Sequence, residues 1–324
     1  MQHPLVSVIV PNYNYARYLD LRMESILNQS FQDFELILLD DASTDNSIEV
    51  LEKYRNHPKT THFIVNETNS GLPFAQWQKG IALSHGKYIW IAEADDLASP
   101  DFLRTCIKAL ENHPDATVAF AGAEIIDADG NTTGQSFDIW LPENTGNGNE
   151  YKVFDGKQYI VHNMYWGSAV YNASGAVFRK DKVSDKDFED CTAMRNSGDW
   201  LFWTKLIAKG QHIEIYRKLN RFRIHGVNTT AKGKLSGNLE IENMQVMRYI
   251  ENHFPIGLYR KTLRHGLLIK SILRSDLSTE KKNELLHLLH STLGATMWAY
   301  RFERVHKLLM PIVPGLKTPY NDRI

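Results

Sequence analysis

The sequence of 324 residues predicts an α/β sandwich with a mainly parallel central sheet. One observation is the alternation of strand-like and helix-like segments over the first 121 residues, which is typical of βαβ units. Another is that the strand-like runs are apolar throughout, as in strands buried on both faces of a sheet. With 43% hydrophobic and 23% charged residues, the chain also has enough apolar side chains for a large core.

The first two predicted strands cover residues 5–10 and 34–39. The first is rich in β-branched residues and is expected to end at Pro11. A helix follows it, because apolar residues recur at i, i+4 and i+7 from Leu19 on one stripe. The second strand ends in two aspartates, and the Ser-Thr-Asp run at 43–45 offers N-cap side chains for the next helix.

The rest of this half continues the alternation. Its predicted elements are a strand at 61–65, a helix at 74–84, a strand at 88–92, a helix at 100–112 and a strand at 118–121. Pro100 stands at a helix start, where proline is tolerated.

The pattern changes beyond residue 125. The predictions are a hairpin turn at 127–135, a Gly/Asn-rich loop at 142–151, a helix within 196–210, and a strand followed by a turn within 216–230. From about residue 237 to 309 the sequence is helical, with interruptions at Pro255 and near Ser275.

Polar clusters follow three of the predicted strands, at residues 11–14, 40–41 and 93–96. Ligands bind at the carboxyl ends of strands in such sheets, so the clusters are expected to share one site. The last cluster holds three acids, which repel one another unless a cation lies among them. Mg²⁺ takes one or two carboxylates together with substrate phosphates. A solvated loop with helix-capping acids is the alternative interpretation.

These residue types suit a nucleotide. Tyr13 offers a ring that can stack on a base, and Asp41 can accept a hydrogen bond from a base N–H or a ribose hydroxyl. Asp95 and Asp96 could hold a ribose and a metal on a diphosphate. Neither G-x-G-x-x-G after the first strand nor a P-loop motif occurs, so a nucleotide would be bound in another way.

The motifs P-N-Y-N, L-L-D-D-A-S-T-D and A-D-D, at these spacings, resemble family 2 glycosyltransferases of the GT-A fold. The resemblance covers about residues 5–230 and implies a hexosyltransferase that uses a nucleoside-diphosphate sugar, with UDP as the first expected nucleotide. It implies a catalytic domain at 1–235, divided into a nucleotide-sugar half at 1–124 and an acceptor half at 125–235. Residues 236–324 would be a helical extension.

The resemblance also implies roles for single residues. Those expected to bind the donor are Pro11, Tyr13, Asn14, Asp41, Lys79 and Asp95, with Lys79 near the diphosphate. Asp96 is the expected ligand of Mg²⁺ or Mn²⁺, and His225 is expected to face the metal or the diphosphate. Glu93 stands where many relatives carry aspartate, so its role is open.

Asp199 matches the catalytic base of the family, although Gly198 replaces the acid that usually precedes it. The implied reaction is attack of an acceptor hydroxyl on the anomeric carbon with inversion. The acceptor would be a saccharide or a lipid-linked saccharide in surface-polysaccharide assembly. A helix cap is the alternative role for Asp199. Three aromatic residues could stack on the acceptor or simply pack, Trp140, Tyr165 and Trp166.

Two other functions compete with this one. A sugar nucleotidyltransferase usually has a Gly-rich, basic loop after its first strand, and PNYNYARY is not such a loop. A non-catalytic carbohydrate-binding protein would not need the acidic motif together with Asp199.

The sequence predicts a cytoplasmic protein. It has two cysteines, no signal peptide and no apolar run long enough to span a membrane. Residues 255–324 carry twelve Lys and Arg against five Asp and Glu, a net charge of +7. This basic tail either packs on the catalytic domain or lies on anionic lipid at the inner face of the membrane. No nucleic-acid partner is expected, and the sequence indicates no oligomeric state.

Overall fold

The computed structural model describes residues 3–145, 148, 150–225, 236–313, 316 and 322–324. The chain divides into two compact units. The first consists of Met1–Gly156, Val170–Ala193 and Lys205–Gly226, and the second of Lys157–Ala169, Met194–Thr204 and Val227–Ile324. These units are defined by packing, and the division into functional parts at residues 124 and 235 stays a prediction.

A large mixed sheet forms the centre of the first unit. Its described strands are β1 (Val6–Asn12), β2 (Phe34–Asp40), β3 (Thr60–Val65), β4 (Tyr88–Ile91), β5 (Leu97–Ala98), β6 (Ala116–Ile126), β7 (Tyr151–Asp155), β8 (Ala176–Arg179) and β9 (Gln211–Arg223). Their order is β3-β2-β1-β4-β8-β6-β9-β5, and β7 pairs with β9.

Most of the paired residues in the sheet are in parallel pairs, as predicted. β1 pairs in parallel with β2 and β4, β2 with β3, and β6 with β9. β8 is antiparallel to both β4 and β6. The polar ends of β1, β2 and β4 therefore meet at one edge of the sheet, since parallel neighbours end on the same side.

Helices occur at each place where the sequence predicted one, and three short helices between residues 142 and 188 were not predicted. Their bounds are α1 (Ala16–Leu27), α2 (Ser47–Glu52), α3 (Pro73–Leu83), α4 (Phe102–Asn112), α5 (Pro142–Thr145), α6 (Gly156–His162), α7 (Asp185–Phe188), α8 (Gly198–Ile207), α9 (Asn238–His253), α10 (Leu258–Arg274), α11 (Thr279–Leu293) and α12 (Met297–Leu309).

The apolar stripe of α1 is buried as the spacing predicted. Leu19, Met23 and Ile26 are fully buried in the core beneath the sheet. Burial of each such side chain contributes about 1.5–3 kcal/mol to stability. α1 is thereby fixed next to the strand ends that carry the polar clusters.

The structure differs from the prediction in local details. Pro11 does not end β1 but lies inside it, opposite Leu39 of β2. The cap of α2 is also different: the side chain of its N-cap residue, Asn46, makes no capping bond to the described residues, and Asp45 accepts from the backbone N–H of Ser47. The short strands β5, β7 and β8 were not predicted, because two to five residues give little periodic signal.

The turn predicted at 127–135 is present, with a bridge between Ile126 and Thr132. Residues 142–145 of the predicted loop form the short helix α5, whereas residues 146, 147 and 149 lie outside the described part of the chain. The turn predicted at the end of 216–230 also falls outside it, from residue 226 onward.

The second unit is helical and contains α9 to α12. Breaks near Pro255 and Ser275 occur as predicted, and Gly294 adds a third with a left-handed φ of 68°. Gly266 brings α10 against α12, because a Cβ there would lie 2.3 Å from the carbonyl oxygen of Ala299. No helix in the described residues has the length and apolarity needed to cross a membrane.

Candidate functional site

The loops after β1 and β2 are tied together by side chains. The amide of Asn12 donates to Asp40 Oδ2 at 2.7 Å, and Asp40 also accepts from Ser43 N and Ser43 Oγ. Asn14, with a left-handed φ of 59°, accepts from the backbone N–H of Thr44 at 2.7 Å. Asp40 and Asn14 thus hold the two loops in register.

Tyr13 lies between these anchored residues and is 43% exposed. Its neighbours in sequence, Asn12 and Asn14, both bond to the β2 loop, so the backbone on either side of the ring is held. Pro11 is buried within β1 beneath it. An exposed ring on a fixed backbone can stack on a flat ligand with little loss of conformational entropy.

The carboxylate of Asp41 is buried, and residues that follow it in the chain donate hydrogen bonds to both of its oxygens. Its oxygens accept from Asn66 Nδ2 at 2.7 Å, Gln76 Nε2 at 2.8 Å and Ser70 Oγ at 2.7 Å, as well as from Ser70 N. Lys79 extends the network by donating to Asn66 Oδ1 at 2.6 Å. Since a carboxylate offers about four lone-pair sites, the protein already satisfies Asp41.

The acidic cluster follows β4. Glu93 accepts from Trp77 Nε1 at 2.9 Å, Asp95 Oδ2 lies 3.0 Å from His225 Nε2, and Asp96 Oδ1 accepts from Arg223 N at 3.0 Å. Asp96 is 2% exposed, whereas the Asp95 side chain is 18% exposed. The structure therefore brings together Asp95, Asp96 and His225, which were predicted to share a site.

The short strand β5 explains this convergence. Leu97 pairs with Arg221 and Ala98 with Asn220 in an antiparallel register. Residues just before β5 are therefore opposite residues just after position 221, and Asp95 meets His225. His225 is also held by aromatic contacts, 5.6 Å from the Tyr15 ring and 5.9 Å from the Tyr18 ring.

Arg223 is a site residue that the sequence did not reveal. Its guanidinium donates from Nε to the carbonyl oxygen of Asp95 at 2.7 Å and from Nη1 to that of Asp127 at 2.9 Å. It also lies 4.5 Å from the centre of the Tyr18 ring. These contacts use backbone oxygens, so Arg223 fixes the acidic loop without neutralising a carboxylate directly.

Arg22 and Ser174 complete the surroundings of the acids. Arg22 is fully buried in α1, donates from Nη2 to Ser174 Oγ at 3.1 Å and lies 4.9 Å from the Trp90 ring centre. Ser174 Oγ also accepts the backbone N–H of Glu93 at 3.0 Å. Nε and Nη1 of Arg22 are buried and have no hydrogen-bond partner among the residues that the structure describes. The sequence gave no signal for Arg22, because a basic residue on a helix is usually solvated.

Burial and mutual repulsion disturb the titration of this cluster. Burial raises the pKa of Glu93 to about 8, and the charge of Asp95 adds to the shift. Burial also raises the pKa of Asp96, again with Asp95 contributing. The pKa of Arg22 is lowered to about 10 by its burial, although the three acids oppose that change. Ionisation of Glu93 and Asp96 is therefore unfavourable in these surroundings.

The acids fit a divalent cation that is shared with a ligand. Among the described residues, no three His, Cys, Asp or Glu side chains are grouped so that they could hold a metal by themselves. Mg²⁺ and similar ions need only one or two protein carboxylates when phosphates supply the other ligands. The negative charge around Asp95 and Asp96 suits that arrangement, because a cation would lower the pKa of Asp96 toward its ordinary value.

Asp199 lies in the second unit, at the start of α8. Its Oδ1 accepts from the backbone N–H of Trp200 at 2.7 Å. Burial raises the pKa of Asp199 to about 6; backbone hydrogen bonds oppose this shift, and the charge of Glu242 adds to it. A carboxylate with such a pKa can accept a proton near neutral pH.

Glu242 of α9 holds the turn before Asp199. Its carboxylate accepts from three successive backbone N–H groups, of Arg195 at 3.0 Å, Asn196 at 2.6 Å and Ser197 at 2.8 Å. The contact fixes the entry to α8, and the sequence gave no sign of it because the partners are about 45 residues apart.

Two aromatic residues considered as acceptor platforms are buried. Tyr165 is fully buried and donates to Glu251 Oε1 at 2.7 Å, and Trp166 is 7% exposed. The stacking hypothesis is therefore wrong for both in this structure, and packing is their role. Trp140 is partly exposed and lies 5.7 Å from the Tyr216 ring.

Comparison with known proteins agrees with the motifs. Residues 7–186 match the sequence model of Glycosyl transferase family 2. An uncharacterized glycosyltransferase of Methanocaldococcus jannaschii is 31% identical over 227 residues, covering 69% of this chain and 72% of that protein. The chondroitin synthase of Escherichia coli is 26% identical over 259 residues, covering 78% of this chain and 32% of that protein.

The fold also has solved counterparts. The mannosyltransferase PcManGT from Pyrobaculum calidifontis, in complex with GDP-Man and Mn²⁺, superimposes with a TM-score of 0.55 at 15% sequence identity. The match covers 99% of this chain and 83% of that one. At this identity the likeness shows the GT-A fold.

Proposed function

The chain belongs to glycosyl transferase family 2, and from that premise we propose that it transfers a sugar from a nucleoside-diphosphate sugar to an acceptor hydroxyl with inversion. UDP is the first nucleotide expected, and the acceptor is a saccharide or a lipid-linked saccharide. The similarity to a chondroitin synthase supports a role in polysaccharide assembly. Residues 1–124 would bind the donor and residues 125–235 the acceptor.

The observation that carries this proposal is the acidic cluster at the end of β4. Burial and repulsion raise the pKa values of Glu93 and Asp96. Ionisation of these two acids is therefore unfavourable unless a cation joins them. A helix cap or a solvated loop would not require Asp96 to be buried this deeply. A metal-bound diphosphate supplies both the cation and its remaining ligands.

The donor would lie across the ends of β1, β2 and β4. Tyr13 would stack on the base, beside Pro11 and Asn14, and Asp41 would face it. Because the lone pairs of Asp41 are already satisfied, its proposed bond to the base would replace one of its present donors, Asn66, Ser70 or Gln76. Lys79 would contact the diphosphate, and Asp95 would contact the ribose.

Asp96 and His225 would hold the metal. Bound Mg²⁺ or Mn²⁺ supplies Lewis-acid stabilisation of the charge that develops on a leaving diphosphate. Arg223 keeps the loop that carries Asp95 in place because its guanidinium donates to backbone oxygens. Its backbone N–H bonds to Oδ1 of Asp96, and Oδ2 would be the oxygen that faces the metal.

Asp199 would act as the general base. It would take the proton of the acceptor hydroxyl as the oxygen attacks the anomeric carbon from the face opposite the leaving group. The transition state has oxocarbenium character, as in glycoside hydrolysis. The raised pKa of Asp199, about 6, leaves it ionised at neutral pH yet basic enough to accept the proton.

Thermal unfolding with candidate donors tests the proposal. We expect UDP, or a UDP-sugar, to raise the unfolding midpoint when Mn²⁺ or Mg²⁺ is present, and to do so far less with a chelator. A ligand at 100 times its Kd adds about 2.7 kcal/mol of stability. GDP-sugars and dTDP-sugars belong in the same screen. If no nucleoside diphosphate stabilises the protein with metal present, the proposal fails.

The nucleotidyltransferase alternative gives a different product. A nucleotidyltransferase would join a nucleoside triphosphate to a sugar phosphate and release pyrophosphate. We expect no pyrophosphate under conditions where a sugar nucleotide is turned over. Steady pyrophosphate release without transfer would favour the alternative.

Glu242 should tune the pH dependence of transfer. Asp199 must be ionised to act, so kcat should fall as the pH drops through about 6. In Glu242→Gln the negative charge next to Asp199 is lost, which lowers the pKa of Asp199, and the acidic limb should move to lower pH. The maximal rate should also fall, because one amide oxygen cannot accept all three N–H groups of the turn.

The measurement is the pH profile of kcat, with Glu284→Gln as control. Glu284 lies exposed on α11 in the same unit and bonds to Lys281. Its substitution removes the same charge without touching the turn and should leave the limb unmoved. An unshifted limb in Glu242→Gln would show that Glu242 acts only as a structural tie.

A further inference from the structure

Helix α12 presents an apolar surface to solvent. The exposed fractions are 62% for Trp298, 53% for Val305 and 71% for Leu308, and 75% for Ile312 in the turn that follows. Positions 298, 305 and 308 recur at intervals of seven and three, so they lie on one side of the helix, and Ile312 follows in the turn after it. We call these four residues the α12 apolar face.

The opposite side of α12 is fixed to α10. Ala299, Glu303 and His306 are buried, and Lys270 of α10 donates to Glu303 Oε1 at 2.5 Å. Gly266 allows the two backbones to touch at Ala299. The helix is therefore held by its own packing, and the α12 apolar face is left outside the core of the second unit.

The charges around this face have one sign. Arg301, Arg304 and Lys307 are all exposed, and in the described part of the chain no carboxylate pairs with them. The acid of this helix, Glu303, is buried and faces Lys270. The exposed surface of α12 therefore combines apolar side chains with positive charge and lacks negative charge among the residues described.

The start of α10 extends the surface. Leu258 is 80% exposed, and Tyr259 next to it packs on Phe302 and His306 of α12, with ring centres 6.0 and 5.7 Å apart. Leu258 thus lies near the end of α12 that carries Leu308.

From these observations we propose that the α12 apolar face binds the surface of an anionic phospholipid bilayer. A helix with an apolar side, flanking Lys and Arg and an aromatic residue lies in the plane of the interface. The apolar side chains would enter the acyl boundary, and the three basic side chains would reach the headgroups with their aliphatic stems on the apolar layer.

The charge distribution favours lipid over a second copy of the chain. A two-fold interface through the same face would bring Arg301, Arg304 and Lys307 close to their own counterparts. Like charges at such an interface are unfavourable. An anionic bilayer instead complements all three.

Co-sedimentation of the full chain with vesicles tests this surface. We expect binding to phosphatidylcholine vesicles that contain phosphatidylglycerol, weaker binding at raised salt, and little binding to phosphatidylcholine alone. The assay needs no donor or acceptor, so its failure is distinct from failure of the proposed transferase activity. No binding to the anionic vesicles would overturn the inference.

Two variants separate the apolar and the charged contributions. Val305→Ser with Leu308→Ser should weaken vesicle binding at least about tenfold. Arg301→Glu with Lys307→Glu should weaken it at least about 25-fold, since each basic residue near the surface contributes about fivefold. All four positions are exposed, so the fold should persist, and an unchanged unfolding midpoint checks this.

Matched controls lie elsewhere on the chain. Leu21→Ser removes a leucine that is 52% exposed on α1, and Lys157→Glu reverses an exposed charge on α6. Both should bind vesicles like the wild type. Equal binding by all variants would place the contact elsewhere. An oligomer that dissociates in the Val305→Ser, Leu308→Ser variant, without vesicle binding by the wild type, would assign the face to a second copy instead.

Discussion

Replacement of Asp199 by asparagine should abolish most of the transfer activity while the donor still binds. Asparagine keeps the shape of the side chain and an oxygen that can accept from Trp200 N, so the start of α8 should remain intact. It cannot take the proton of the acceptor hydroxyl. Loss of a general base typically costs about 10²–10⁴-fold in rate. The measurement pairs kcat with the affinity for a nucleoside diphosphate and metal.

The pH profile adds a second criterion for Asp199. In the wild type the acidic limb of kcat should lie near the raised pKa of about 6, and in Asp199→Asn that limb should disappear. Asp185→Asn is the matched control, because Asp185 is an exposed aspartate in the first turn of α7. If Asp199→Asn turned over as fast as Asp185→Asn, another group would be the base.

Replacement of Asp96 by asparagine should remove metal-dependent donor binding. The carboxylate is 2% exposed and accepts from Arg223 N, and the amide oxygen of asparagine can keep that bond. The affinity for a nucleoside diphosphate in the presence of Mn²⁺ should fall at least about 100-fold. Even mutation of a residue that only hydrogen-bonds to a metal ligand typically lowers metal affinity or activity by about 10- to 100-fold. Without metal, variant and wild type should bind the nucleotide equally weakly.

Without ligand, Asp96→Asn should be at least as stable as the wild type at pH 8. Burial raises the pKa of Asp96, so its ionised form opposes folding, and this cost is largest above the folded pKa. Asparagine removes that charge. Lost binding together with unchanged or increased stability separates a metal ligand from a structural tie.

Asp45→Asn serves as the control for Asp96. Asp45 is an exposed acid in the β2 loop that accepts from Ser47 N and Ala16 N. The Asp45→Asn variant should keep metal-dependent binding of the nucleoside diphosphate. An undiminished response to Mn²⁺ in Asp96→Asn would move the metal to Asp95, whose side chain is the more exposed of the two.

Several parts of the donor site could be predicted from local sequence. The strands and α1 follow from apolar periodicity, and the acidic cluster follows from its position after β4. The pairing of Asp95 with His225 was expected only as proximity, and the register of β5 with β9 supplies its geometry. Arg22 and Arg223 had no signal, because a basic residue in a helix or a strand is usually solvated.

The chain sequence by itself determined the fold class and the residue types at the strand ends, because burial periodicity and local propensity act over a few residues. Tertiary structure decided which charges meet. Ser174 lies between Arg22 and the backbone of Glu93 although the three are far apart in sequence. It also decided that Asp41 is satisfied internally and that Tyr165 is buried. Hydrogen bonds and desolvation depend on distances through space, and the order of residues does not encode those distances locally.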